Sequence, residues 1–197
     1  MATIGSIPAE SRVLLTNISW SLYQAIAEAK GDRPAPRLSY LDGTLELMSP
    51  SYWHEALSRR VGIFVLMMAR GLARPCLDAG STRWERAGVP AAKEPDVCFY
   101  LENEHVVRGL HEIDLSHSLV DAHRIYSGLG VPEIWRYDGD SLRILHLGAD
   151  GHDIERENSL TFPTLRASEA LAQLARADDL DQTAWSTDVE DWARRCL

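Results

Sequence analysis

Apolar side chains recur at three- and four-residue spacing between residues 52 and 72, which predicts one long amphipathic helix. The stripe that this spacing draws along one face of the helix consists of Trp53, Leu57, Val61, Phe64, Met68 and Leu72. Ser49-Pro50-Ser51 stands directly before the helix and opens it. A shorter helix is predicted over Trp20–Lys30, because Ser19 is a favourable N-cap and Gly31 ends the segment.

Two extended segments, Arg37–Leu41 and Thr44–Met48, flank Asp42-Gly43, an arrangement typical of a β-hairpin. Further extended segments are predicted at Cys76–Ala79, Ser81–Glu85, Glu94–Leu101, Leu110–Leu115, Glu133–Tyr137, Leu142–Leu147 and His152–Arg156. The stretch rich in glycine, proline and alanine before Glu94 is predicted to be a loop. The remaining helices are predicted at Leu119–Leu129, Ser168–Arg176 and Thr183–Arg194.

The order of these elements predicts an α/β (α+β) domain in which helices flank a mixed β-sheet core. We expect one sheet to carry the segments Arg37–Leu41, Thr44–Met48, Ser81–Glu85, Asp96–Leu101 and Glu133–Tyr137, with the apolar stripe of the long helix packed on it. The chain has no internal repeat and no long linker. Residues 12–197 are therefore predicted to form a single domain behind a flexible N-terminus of residues 1–11.

Composition narrows the class of protein. The chain has 197 residues, of which 45% are apolar, so it can bury a sizeable core. No apolar run is long enough to span a bilayer, the first residues do not look like a secretory signal, and the three cysteines are widely spaced. These features predict a cytoplasmic protein with reduced thiols. The net charge of −9 argues against binding nucleic acid through phosphates alone, but is compatible with a carboxylate site that holds a cation.

Three carboxylates are the main candidates for chemistry. Asp96 heads an apolar strand, and Glu112 and Asp114 lie two residues apart in a later one. If the two strands are neighbours, these side chains can converge on one point, where they repel each other unless a cation lies between them. Oxygen ligands favour Mg²⁺ or Mn²⁺. Without metal, this repulsion should raise the pKa of at least one carboxyl group, and Asp96→Asn should melt no lower than the wild type. The alternative is that all three are solvated residues at strand ends.

The segment from Arg12 to about Leu165 resembles the Uma family of endonucleases, which have the PD-(D/E)xK restriction-endonuclease-like fold. The stretches that carry this resemblance are Val13–Trp20, Leu45–Pro50 with His54 soon after, Gly80–Thr82, Glu94–Tyr100, Asn103-Glu104, Val107–Gly109, Ile125-Tyr126 and Gly130–Gly139. They cover most of the chain in the order in which the family has them.

The resemblance implies a nuclease that hydrolyses DNA with Mg²⁺ or Mn²⁺. It implies that Asp96, Glu112 and Asp114 are the metal ligands and act in catalysis. Glu46 is expected as an outer ligand, and His54 as a contact to the scissile phosphate or to one of the carboxylates. In each of these two cases an ordinary structural residue is the alternative.

The sequence departs from the family pattern in two places. The segment before Glu112 is short, so His111–Leu115 can be aligned either with the catalytic strand or with an earlier segment; we expect it to take the place of the catalytic strand, beside Asp96. The residue two positions after Glu112 is Asp114 and not the lysine of the motif. Lys93 lies three residues before Asp96, but a lysine in a predicted loop is expected to be solvated.

Two other classes of function stay open at the level of the sequence. The chain could be an inactive remnant of the nuclease fold that acts as a homodimeric or interaction module. It could also be a hydrolase with Cys98 as nucleophile, in which case alkylation would block it; a buried core cysteine is the alternative for this residue.

Overall fold

The computed structural model describes residues 10–101, 110–114 and 118–196. For Leu101, residues 110–114 and Cys196, it describes the backbone but not the side chain. The helices in these ranges are α1 (Trp20–Lys30), α2 (Tyr52–Gly71), α3 (Ala122–Leu129), α4 (Ala167–Ala175) and α5 (Gln182–Cys196). The strands are β1 (Ser11–Leu15), β2 (Arg37–Leu41), β3 (Thr44–Ser49), β4 (Cys76–Gly80), β5 (Trp84–Arg86), β6 (Val89–Lys93), β7 (Val97–Leu101), β8 (Leu110–Asp114), β9 (Glu133–Tyr137), β10 (Leu142–Leu147) and β11 (Asp153–Arg156).

The first sheet has the strand order β1-β3-β2-β6-β5, and all its pairings are antiparallel. Helix α1 covers one face of it, where Tyr23 and Ala27 pack with Leu38, Tyr40 and Leu45. Side chains alternate between the faces of a strand, so the opposite face carries the remaining positions of β2, β3 and β6. Several of these positions hold buried charged residues, which belong to the candidate site.

The second sheet has the order β11-β10-β9-β8-β7-β4, with β8 and β9 parallel and the other pairs antiparallel. Helix α2 packs on one face of it, where Phe64 lies 6.2 Å from Trp135, measured between ring centroids. On the other face, Ile125 of α3 packs with Cys98 and Ile134. The sheet is therefore covered on both faces, and its central strands β7, β8 and β9 form the middle layer of the domain.

The predicted helices and the predicted hairpin are confirmed, as is the mixed α/β class. The single predicted sheet is wrong, because the hairpin strands and β7 belong to different sheets. The predicted loop before Glu94 contains strand β6, whose Ala91 and Ala92 are buried. Small residues weaken the apolar signal of a strand, but they allow other elements to pack closely against it. The predicted strand at Ser81–Glu85 begins only at Trp84.

The stripe predicted for α2 is correct for Val61, Phe64 and Met68 but wrong for Trp53, whose surface is 65% exposed. The inward positions at the start of the helix belong instead to His54 and Ser58. Because the buried face begins with polar residues, a stripe traced through apolar residues alone drifts to the solvent side.

Ser11 pairs with Ser49 in strand β1, and residues 1–9 of the predicted flexible N-terminus lie outside the described residues. No helix in the described part of the chain combines the length and the apolar character that crossing a membrane requires.

Candidate functional site

The segment Glu94-Pro95-Asp96 crosses from the first sheet to the second, because it joins β6 directly to β7. Glu94 is anchored on the α1 side of the first sheet, where its carboxylate accepts hydrogen bonds from Lys30 Nζ at 3.0 Å and from the Leu38 amide at 3.1 Å. Asp96, two residues later, lies at the beginning of β7 and is 7% exposed. The carboxylate of Glu94 therefore contacts the first sheet, and Asp96 lies directly before the first residue of β7 in the second sheet.

Asp96 lies in a cluster of polar groups contributed by helix α2, by strand β2 and by Glu10, the residue before β1. His54 Nε2, from the first turn of α2, donates to Asp96 Oδ1 at 2.7 Å, and Arg37 Nη1, from β2, donates to the same oxygen. Ser58 Oγ donates to the backbone carbonyl of Asp96 at 3.1 Å, which fixes the start of β7 against α2. His54 Nδ1 lies 3.0 Å from a carboxylate oxygen of Glu10. Both ring nitrogens of His54 therefore face carboxylates, which favours the imidazolium form over the opposing charge of Arg37, whose Nη1 lies 3.0 Å from Nε2.

Opposite charges determine how the cluster titrates. Burial alone would raise the pKa of Asp96, but the hydrogen bond from His54 and the charges of His54, Arg37 and Lys93 outweigh it and lower this pKa. Burial would lower the pKa of His54, but the hydrogen bond and charge of Asp96 outweigh it and raise that pKa. Repulsion between carboxylates therefore does not raise the pKa of Asp96. A raised pKa for Glu112 or Asp114 stays a prediction, because their side chains lie outside the described part. The described neighbours of Asp96 are mainly cations, so an aspartate at this position is stabilised in its charged form.

Lys93 was predicted to be a solvated residue of a loop, and this prediction is wrong. It is the last residue of β6, not a loop residue, and is only 4% exposed. Its Nζ lies 3.4 Å from Ser39 Oγ on the paired strand β2 and 5.5 Å from the centroid of the Tyr126 ring. The sequence held one signal, because the chain has only two lysines and Lys93 is the one that lies three residues before Asp96.

Glu46 lies on the same face of the first sheet, and it is only 1% exposed. Its carboxylate accepts hydrogen bonds from Arg12 Nη1 at 2.8 Å, from Ser118 Oγ at 3.0 Å and from the Leu119 amide at 2.5 Å. These contacts fasten β1 and the segment that leads into α3. The role of Glu46 as an outer metal ligand stays a prediction.

Residues 110–114 form an interior strand between β7 and β9, as predicted for His111–Leu115, of which Leu115 lies outside the described residues. Glu112 is paired with Cys98, and Ile113 with Val97. Asp96 directly precedes Val97 and Asp114 directly follows Ile113, so the backbones of the two aspartates are neighbours at one end of the strand pair. The side chains of Glu112 and Asp114 lie outside the described part, and the described side chains alone contain no metal-binding group of three.

An open cleft of about 430 Å³ lies over the cluster. Its lining includes Arg37 and Asp96 together with Arg59, Gly80 and Gln182. A cleft of this volume is within the range of small-ligand sites, and it connects the buried carboxylate to solvent.

Cys98 does not have the environment of a nucleophile. The residue is fully buried, its thiol donates to the Gly80 carbonyl at 3.1 Å, and the Trp84 Nε1 donates to its sulfur at 3.4 Å. It packs in the apolar cluster under α3. These contacts agree with the alternative of a core cysteine.

Fold and site define a mixed α/β domain of the restriction-endonuclease-like class, with a buried carboxylate where its two sheets meet. The model of the Uma2 family, described as "putative restriction endonuclease", matches residues 20–180 of this chain. The match covers most of the sequence, so the protein belongs to the Uma2 family, and the resemblance seen in the sequence is confirmed. A comparison with curated proteins finds no match.

Proposed function

We propose that this protein is an endonuclease that hydrolyses phosphodiester bonds of DNA with a divalent metal ion, Mg²⁺ or Mn²⁺, held by Asp96, Glu112 and Asp114. The observation that carries the proposal is the position of Asp96, an ionised carboxylate at the junction of the sheets, beside the strand that contains the other two. The family description supports the reaction class.

The chemistry of these residues fits a hard divalent cation, because all three proposed ligands are carboxylates and Asp96 stays charged in spite of its burial. When bound, such a metal lowers the pKa of its water ligand and stabilises charge that develops on the phosphoryl group. The polar neighbours of Asp96 have a separate task. Arg37 and His54 hold its carboxylate in one orientation and in its ionised form. Asp96 therefore does not have to lose a proton before it binds the metal.

Lys93 takes the place of the motif lysine in this proposal. It comes from β6 of the first sheet, three residues before Asp96, and its charge contributes to lowering the pKa of Asp96. An ammonium group in this position stabilises the negative charge of the phosphate during the reaction. Arg37 also lines the cleft, where the carboxylates of Asp96 and Glu55 hold its guanidinium in place.

The test is nicking of supercoiled plasmid DNA by the purified protein with Mn²⁺ or Mg²⁺. We expect the wild type to nick the plasmid, and we expect Asp96→Asn to lose this activity. A second variant, Lys93→Gln, should lower the rate by about a hundredfold or more, the effect of removing one charge-stabilising group from an active site. Asp42→Asn is the matched control, since Asp42 is an exposed turn residue paired with Arg124. Circular dichroism at the assay temperature establishes that each variant is folded.

One observation favours the alternative of an inactive module, namely that Arg37 and His54 themselves neutralise the charge of Asp96. In that case the carboxylate is only a structural counterion. The wild type would then nick no DNA with either metal, and this result would overturn the proposed function. Nicking that is equally fast in folded Asp96→Asn would overturn the assignment of the site.

A further inference from the structure

We propose that the outer wall of the cleft binds an unpaired strand of DNA, with the ring of Tyr52 as a stacking platform for a base. This inference rests on the proposed function, because it names the substrate class of the same site: DNA with a single-stranded segment. The residues that support it lie in the first two turns of α2, on the side that faces solvent.

Tyr52 and Trp53 are two large aromatic residues at the start of α2 that no apolar core covers. Tyr52 is 61% exposed, and Trp53 packs against it edge to face with ring centroids 5.3 Å apart. His54, the next residue, lies inside the cluster and contacts Asp96. One helical turn therefore joins the exposed aromatic pair to the candidate catalytic carboxylate.

Tyr52, but not Trp53, also lines the wall of a hollow beside the cleft. This second hollow of about 450 Å³ is also lined by Arg60, and it shares Glu55, Arg59 and Gln182 with the hollow over Asp96. The two hollows thus form one track along α2, with Tyr52 at one end and Asp96 at the other. A strand that lies in this track can stack a base on Tyr52 while a phosphate further along reaches the site.

The track offers few cations to phosphates, so binding there depends on stacking, which an unpaired base can provide and a paired base cannot. Arg37 is paired with Asp96 and Glu55, and Arg60 is paired with Asp178. Arg59 is exposed, and within the described residues it has no ion pair. With few cations for phosphates and a net charge of −9, the protein gains little from backbone contacts. Stacking does not depend on charge, and it requires a base that is not already paired.

The experiment measures binding of a fluorescent oligothymidylate of about fifteen nucleotides by anisotropy, in the presence of a chelator so that no cleavage occurs. We expect Tyr52→Ala to weaken binding by about fivefold or more, the lower end of what one stacked base contributes. Tyr52→Phe keeps the ring and should bind within about twofold of the wild type. Leu22→Ala is the matched control, because Leu22 is an exposed apolar residue in the first turn of another helix.

Equal affinity of Tyr52→Ala and wild type for the oligonucleotide would overturn the proposal. So would a loss that is equally large for a blunt duplex of the same length, since paired bases cannot stack on Tyr52. The outcome is independent of the nicking assay, because binding is measured without metal. If the protein binds the single strand through Tyr52 but nicks no plasmid, the proposed nuclease activity is wrong, whereas the proposed binding of single-stranded DNA still holds.

Discussion

At the scale of single residues, the candidate site depends on how two cations surround one buried carboxylate. Removing one member of a buried ion pair leaves an uncompensated charge, which costs about 3–5 kcal/mol. Asp96 therefore contributes to stability as well as to the proposed chemistry. The two contributions are separable, because the ionic contacts of His54 and Asp96 depend on pH.

The first prediction concerns His54→Gln in the metal-free protein with chelator. The raised pKa of His54 means that its stabilisation is complete below its ordinary value of 6.5 and is lost as pH rises through the folded-state pKa. The lowered pKa of Asp96 means that its stabilisation is present above 3.8 and is lost as pH falls through its folded-state pKa. The ion pair of His54 and Asp96 therefore contributes most to the stability of the protein between pH 3.8 and pH 6.5.

We expect the difference in melting temperature between wild type and His54→Gln to be larger at about pH 5.5 than at about pH 8.5. The measurement is thermal unfolding followed by circular dichroism at both pH values. His152→Gln is the control, since His152 is exposed and should change the melting temperature at neither pH. An equal difference at both pH values would mean that His54 acts only through packing.

At the scale of secondary-structure elements, helix α2 connects the site to the rest of the core. Its first turns bring His54 and Ser58 to Asp96, and its middle packs Phe64 on the second sheet. Its last residue, Gly71, lies against α5. A Cβ atom on Gly71 would come within 2.6 Å of the Glu190 carbonyl oxygen and 2.8 Å of the Ala193 Cβ.

The second prediction is that Gly71→Ala destabilises the protein. A backbone carbonyl cannot turn aside as a flexible side chain can, so the helices must separate, and overpacking of this kind costs about 1–3 kcal/mol. We expect the melting temperature to fall by about 2–12 °C, from about 2–4 °C per kcal/mol in a protein of this size.

Gly62→Ala is the matched control in the same helix. Its Cβ would meet Val97 and Phe99 at 3.8 and 3.9 Å, which is ordinary contact distance. The higher helix propensity of alanine should make this variant as stable as the wild type or more so, by up to about 1 kcal/mol. If both variants have the same melting temperature, the close approach of α2 and α5 does not limit stability.

At the scale of the whole molecule, the site exists because two sheets meet at one crossing of the chain. Residues 94–96 lead from β6 to β7, so Lys93 ends one sheet and Asp96 begins the other. Proline at position 95 has no amide hydrogen and cannot extend the hydrogen-bonding pattern of either strand. The arrangement predicts that metal binding at the crossing stabilises the entire domain, because unfolding separates the proposed ligands.

The third prediction is that Mn²⁺ raises the melting temperature of the wild type. Above the dissociation constant, each tenfold increase in metal concentration adds about 1.4 kcal/mol to the free energy of unfolding, or about 3–6 °C. Asp96→Asn should lose this dependence. It should also melt lower than the wild type without metal, since Arg37 and His54 then lose their charged partner.

This last expectation reverses the one made from the sequence. Glu155→Gln, an exposed variant outside the site, should respond to Mn²⁺ like the wild type. A melting curve of the wild type that does not change with millimolar Mn²⁺ would contradict the metal site.

Local sequence patterns are sufficient to predict the helices, the hairpin and the family of this protein, but they miss strand β6. The hairpin, the five helices and the strand after Asp96 follow from periodicity and capping, which depend on neighbouring residues. Three features follow from the folded chain and not from local pattern. The strands form two sheets, and His54 faces inward in place of Trp53. Lys93 is buried beside Ser39. Each of these depends on contacts between residues far apart in the chain. A charged side chain can be buried at low cost only where an opposite charge or a hydrogen-bonding partner contacts it. When that partner is far away in the chain, the residues next to the charged one do not indicate it.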